Sequence, residues 1–202
     1  EGKVLTVNIR KGMKWSDGEP FTVDDILFAI EDIMANDKVE EVMSGALIVN
    51  GEQIEVNKID DYTIEFVSPE HYYSLPENLA TATNLTNWPQ HFLKQYHPDY
   101  NEEATYEDFN KNWMDWIKGR GKVTMQPWML EEYDAGNKLV SVRNPYYYRV
   151  DTEGNQLPYV DRFVWHQYAD RQTNALKAVS GEIDIEGMWV GVQHLPLFMS
   201  ER

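Results

Sequence analysis

Between Lys11 and Asp25 the chain reads Lys-Gly-Met-Lys-Trp-Ser-Asp-Gly-Glu-Pro-Phe-Thr-Val-Asp-Asp, and this stretch constrains the fold most because it sets the end of a strand and the start of a helix. Before it, Leu5, Val7 and Ile9 alternate with Thr6, Asn8 and Arg10, the two-residue period of a half-buried strand. Ser16-Asp17-Gly18 supplies a turn: the Asp side chain bonds back to the backbone and Gly takes a positive φ without steric cost. Pro20 fixes the approach, and Thr22 with Asp25 forms a capping-box variant. From there Val23, Ile26, Leu27, Ile30, Ile33 and Met34 fall on one helical face.

The next segments extend this start into a small α+β unit. Ala46–Val49, an Asn50-Gly51 turn and Gln53–Asn57 read as a hairpin. A second reversal at Asp60-Asp61 leads into Tyr62, Ile64 and Phe66, alternating with Thr63 and Glu65. Three or four antiparallel strands with one helix against them are therefore expected.

Beyond Ser68-Pro69 the pattern turns helical. His71 to Thr83 is a weakly patterned helix, and Pro89 opens another with Phe92, Leu93 and Tyr96 on one face. Thr105 and Asp108 form a further capping pair, after which Tyr106, Phe109, Trp113, Trp116 and Ile117 recur at helical spacing until Gly119 and Gly121 stop the helix. Strands follow on either side of Asp134-Ala-Gly-Asn137, then a turn-rich connection through Leu157-Pro158. Arg162–Tyr168, a helix from Asp170 to Val179 and Ile183–Ile185 then predict a parallel βαβ unit. The change from antiparallel to βαβ character places a boundary near residues 85 to 90. The expected division is 1–88, 89–186 and 187–202.

Composition narrows the function classes. With 18 basic against 34 acidic residues the chain carries a net charge of −16, the wrong sign for nucleic acid or an anionic membrane surface. Cysteine is absent, which removes disulfides and thiolate metal sites. The chain opens at Glu1 inside a strand and reads as an internal piece of a longer protein.

Catalytic and metal motifs are weak. The five histidines show no H-E-x-x-H spacing, so no metal site and no cofactor are expected. Asp151-x-Glu153-Gly154-Asn155 hints at a calcium loop, but Gly stands too early and Arg162 occupies the place of a bidentate Glu. The pairs Asp24-Asp25, Asp60-Asp61 and Glu131-Glu132 could suggest glycoside hydrolysis, yet each has a local explanation in a helix start, a turn or a strand end. No catalytic residue is expected.

Three strings in order carry a resemblance. Arg10-Lys-Gly-Met-Lys-Trp-Ser-Asp-Gly-Glu-Pro-Phe-Thr-Val-Asp-Asp25, Arg143-Asn-Pro-Tyr-Tyr-Tyr148 and Ser180-Gly-Glu-Ile-Asp184 resemble motifs of the family 5 extracellular solute-binding proteins. Gly154-Asn-Gln-Leu-Pro-Tyr-Val-Asp161 is similar to a form found in one branch of that family. One departure stands in the middle: Met125-Gln-Pro-Trp-Met129 replaces the usual Gly-Thr-Gly-Pro-Tyr, which alters the expected loop geometry.

The resemblance implies a mixed α+β and α/β fold, part of a type II (class C) periplasmic-binding-protein-like pair of lobes. Residues 1–88 would be a small antiparallel-sheet subdomain, residues 89–186 part of lobe I, and 187–202 the start of the crossover to a second lobe. It further implies a non-enzymatic receptor of an ABC importer, periplasmic or extracellular, with a lipoprotein anchor conceivable in the full-length protein. Such a receptor binds peptides or a similar solute in an interlobe cleft and delivers it to a membrane permease. The alternatives are an oligosaccharide-binding receptor of the same fold and a glycoside hydrolase fragment. Because Glu186-Gly187-Met188-Trp189 directly follows the third string, Trp189 and Met188 are the expected ligand contacts, with Trp88 near the other boundary. All three equally suit packed core positions.

Overall fold

The opening stretch folds as its turn chemistry demands. The computed structural model describes residues 2–187 and 191–200. Strand β1 (Val4–Asn8) leads into a tight reversal in which Trp15 N–H donates to the Glu19 carbonyl (2.8 Å) and Gly18, at φ +96°, donates to the Trp15 carbonyl (3.0 Å). Helix α1 (Val23–Leu27) follows, and the Asp25 carboxylate accepts from Thr22 N–H at 3.0 Å. The helix then widens: Phe28–Met34 runs in π register, and Ala35 N–H reaches back five residues to the Ile30 carbonyl. That shift brings Phe28 and Ala29 into the core beside Ile30 and Ile33, a wider buried face than a regular α-helical stripe offers.

The antiparallel unit forms, but the hairpin strands are shorter than the sequence suggests: Gly45–Leu47 makes a 3-10 turn. Strands β2 (Ile48–Val49) and β3 (Glu52–Gln53) close over Asn50 and Gly51, both at positive φ, and form a two-stranded sheet apart from the other strands. Strands β4 (Glu55–Asp60) and β5 (Thr63–Val67) pair antiparallel around the Asp60-Asp61 reversal, and the sheet order is β1-β5-β4. Ile64 and Phe66 on β5 are buried against the helix, while Thr63 and Glu65 alternate away.

Short helices complete this part: α2 (Leu75–Thr81), α3 (Gln90–Leu93) and α4 (Tyr106–Asp108), the last continuing in π register through Trp113. Thr105 caps α4 by accepting from Asp108 N–H at 3.1 Å. The helical spacing read through Ile117 stops short in the structure. Asp115 accepts from the N–H groups of Ile117 and Lys118 and turns the chain out of the helix.

The later segments comprise strands β6 (Trp128–Asp134), β7 (Lys138–Arg143) and β8 (Arg162–His166) in the order β6-β7-β8, and helices α5 (Arg171–Val179) and α6 (Leu195–Ser200). Asp170 caps α5 by accepting from Thr173 N–H at 2.8 Å. The βαβ expectation fails in its last element, since Ile183–Ile185 is not a strand. A strand exists only with a ladder partner, and no described segment supplies one there.

The chain divides into two compact units, residues 1–130 with 142–162, and residues 131–141 with 163–202. The division expected at residue 88 therefore does not separate packed bodies. Trp88, Leu93, Phe109, Val123 and Met125 are buried in the same apolar cluster as Trp15, Phe28 and Ile64, so residues on both sides of that position share one core.

Candidate functional site

The recognisable strings serve first as scaffold. In the first unit, Ser16 N–H donates to the Thr124 carbonyl (2.9 Å) and Ser16 Oγ accepts from Thr124 N–H (3.0 Å). Asn144, fully buried, donates through Nδ2 to the carbonyls of Thr124 (3.3 Å) and Gln126 (2.9 Å) and accepts from Tyr146 N–H. The first string, the Met125–Met129 segment and the Arg-Asn-Pro string thus meet at Thr124. A buried amide with these partners holds three loops in one arrangement and offers no reactive group. The departure at Met125–Met129 keeps this function because the contacts use backbone carbonyls, not the side chains that changed.

The third string works in the second unit. Ser180 Oγ donates to the Lys177 carbonyl, Gly181 takes φ +75°, and Lys177 pairs with Glu182 at 2.6 Å, which closes α5. Asn174, buried on α5, donates through Nδ2 to Glu186 at 2.6 Å. The segment after the string is thereby tied back to the helix just before Met188. Met188 and Trp189, the two leading candidates for ligand contact, lie outside the described residues.

The third candidate, Trp88, lies in the apolar core of the first unit. Trp88 is fully buried, and the Arg120 guanidinium carbon stands 4.2 Å from its ring centroid. One face of the Trp88 ring is thus covered by Arg120, and Trp88 takes the packed core position that the sequence equally allowed. Arg120 is the residue that sequence reasoning missed. Its neighbours Gly119 and Gly121 signalled a helix end, and no periodic pattern marks the residue between them.

The ionisable groups are mostly engaged structurally. Asp25 is buried, and desolvation pushes its carboxyl above the ordinary range against the bonds it accepts from Thr22 and Gln90 N–H. It thus fixes the starts of α1 and α3 to each other. Asp24 and Asp61 both pair with Lys58, at 2.7 and 2.8 Å, and Asp60 accepts from Tyr62 N–H. Glu132 pairs with Lys138. Asp24, Asp25, Asp60, Asp61 and Glu132 of the carboxylate pairs noted in the sequence are thus engaged in holding the fold. In the loop resembling a calcium site, Asp151 accepts from Glu153 N–H, Asn155 N–H and the Tyr159 hydroxyl, and these bonds hold its carboxyl below the usual range.

His97 is the most enclosed titratable base. Its Nε2 lies 3.3 Å from the Asp32 carbonyl, its Nδ1 accepts from Asp99 N–H, and the rings of Phe28, Tyr100, Tyr106 and Phe109 surround it. Burial depresses its pKa despite Asp99 and Asp32 nearby. The same burial, with Asp32 accepting its proton, pushes Tyr100 up to about 12.

An open groove of about 590 Å³ is lined by Glu41, Met43, Ser44, Asn78, Thr81 and Asn84 among others. Its walls offer hydrogen-bonding groups without a clustered acid–base pair. Among the described residues no group of three His, Asp or Glu side chains could hold a metal ion, and no helix is long and apolar enough to cross a membrane.

The described residues form a mixed set of small sheets and short helices, divided into two units, in which the recognisable strings act as scaffold. The model of the bacterial extracellular solute-binding proteins, family 5 Middle, matches residues 1–193, and the chain belongs to that family. It is 32% identical over 185 residues to the periplasmic alpha-galactoside-binding protein of Rhizobium meliloti, covering 91% of this chain and 26% of that protein. Among solved structures it is similar to an oligopeptide-binding protein OppA (TM-score 0.84, 32% identity, 99% of this chain and 34% of that one). It is also similar to the periplasmic binding protein MelB of Agrobacterium fabrum C58 in complex with stachyose (TM-score 0.77, 29% identity, 99% of this chain and 29% of that one). The chain thus spans about a quarter to a third of the length of these relatives.

Proposed function

We propose that the chain is part of the substrate-binding component of an ABC importer, acting outside the cytoplasmic membrane without covalent chemistry. The observation that carries this reading is the family match across residues 1–193. A solute enters a cleft between two lobes, its contacts stabilise the closed form, and the closed form docks on a membrane permease. Residues 2–187 supply part of one jaw. Met188 and Trp189, which follow Glu186-Gly187 directly in the sequence, are the contacts this jaw offers to the solute.

The first ligand reading is a peptide or a similar solute, supported by the likeness to an oligopeptide-binding protein. A specific observation favours a second, an oligosaccharide: the alpha-galactoside-binding relative and the stachyose complex match at comparable identity. A thermal-shift screen of the full-length receptor separates them. A true ligand at a hundred times its Kd adds about 2.7 kcal/mol of stability. A shift with oligopeptides alone supports the first reading and a shift with galactosides alone the second. The absence of a shift with either class contradicts both.

A further inference from the structure

Segment 118–122 reads Lys-Gly-Arg-Gly-Lys, a concentration of positive charge in a chain of net charge −16. It is a built loop. Asp115 Oδ1 accepts from Ile117 and Lys118 N–H, Gly119 N–H donates to the Asp115 carbonyl, Gly121 N–H to the Trp116 carbonyl, and Lys122 N–H to the Gly119 carbonyl. A Cβ on Gly119 would meet the Trp113 backbone and one on Gly121 the Trp116 backbone, so the loop closes this tightly only with glycine on both sides of Arg120.

The loop delivers Arg120 between two indoles, 4.2 Å from the Trp88 ring centroid and 5.9 Å from that of Trp116. Its Nε is buried without a hydrogen-bond partner, and so is Trp88 Nε1. Asp115 accepts both loop bonds through Oδ1, and Glu41 and Asp115 act on the guanidinium through space. Two buried donors in one cluster without acceptors are unusual in a folded protein and require an explanation.

We infer that Arg120, flanked by Trp88 and Trp116, is a binding site for a small carboxylate, separate from the interlobe cleft. The guanidinium fork matches a planar carboxylate with two parallel N–H···O bonds, a geometry that a lysine cannot reproduce. The Trp116 indole is 37% exposed, so the cluster borders solvent on that side. The chain's overall negative charge repels polyanions and anionic membranes, which leaves a small solute as the occupant. That solute is a free organic acid or the carboxyl terminus of a short peptide.

The test follows the indole and arginine Nε–H signals of the 202-residue chain by NMR during titration with benzoate and, separately, benzamide. Saturable movement of the Trp88, Trp116 and Arg120 signals with benzoate alone supports the site. R120K should weaken benzoate binding by about tenfold or more, because the fork is lost while the charge is kept. W116A, which leaves the buried Arg120–Trp88 pair in place, should weaken it less and checks the site should R120K unfold. A second arm compares trialanine with its C-terminal amide. Movement with the free acid but not the amide identifies peptide termini as occupants, and response to benzoate alone identifies free acids. Equal response to benzamide, movement spread over all indoles, or no response to any carboxylate overturns the inference.

Discussion

The two compact units use the same local grammar and reach different degrees of burial. In both, a side chain caps a helix at the residue the sequence marks: Thr105 for α4 in the first, Asp170 for α5 in the second. In the first unit those elements pack around Trp15, Phe28, Ile33, Trp88 and Phe109, all fully or almost fully buried. Among the described residues of the second, only Val140, Ser141, Asn174 and Ala175 are buried, and β8 shows Phe163, Val164 and Trp165 to solvent. Capping chemistry thus builds an element, and burial of its apolar face decides whether the element is held.

That contrast breaks if core and exposed aromatics cost the same to remove. Phe28→Ala should lower the unfolding free energy of the chain by about 3–5 kcal/mol, read from urea denaturation. Trp165→Ala, on exposed β8, should change it by no more than about 0.5 kcal/mol.

His97 sharpens the contrast from inside the first unit. Its folded-state pKa lies below the ordinary 6.5, so below that pH the unfolded chain takes up a proton that the folded chain refuses. Stability should therefore be full above pH 6.5 and fall as the pH drops through the window between the unfolded and folded values, at up to about 1.4 kcal/mol per pH unit. His97→Gln should reduce the slope in this window to what the Asp and Glu groups leave, as measured by denaturation at stepped pH.

The caps come next. Thr105→Ala should cost about 1 kcal/mol in the first unit, whereas Asp170→Ala should show as lost helicity at α5 by NMR secondary shifts. The smallest effect belongs to the surface pair of Lys58 with Asp24 and Asp61. Lys58→Met should stay within about 1 kcal/mol, shrinking further in high salt.

Much of the first unit was legible because its instructions are short-range. Ser16-Asp17-Gly18, Asn50-Gly51 and the Thr22/Asp25 and Thr105/Asp108 pairs each act within a few residues, and each forms as read. The π register of Phe28–Met34 was not legible, since it differs from an α-helix only in which carbonyl each N–H chooses, and packing makes that choice. Ile183–Ile185 carries strand composition without a strand partner. Trp88 and Arg120 lie 32 positions apart in the sequence, beyond any periodic pattern, so neither residue announced the other. The family strings were recognisable at once, yet their use as loop anchors at Thr124 required the hydrogen bonds themselves.

In the proposed function, this chain supplies part of one jaw of a solute receptor, and the proposed ligand contacts follow α5 in the sequence rather than lying in the first unit's core. Hydrogen–deuterium exchange on the full-length receptor, with and without the ligand found by thermal shift, tests it most directly. Ligand should slow exchange in residues 186–192 while amides around Phe28, Ile33 and Phe109 stay equally protected in both states. Unchanged exchange in 186–192, with new protection confined to the first unit, would contradict it.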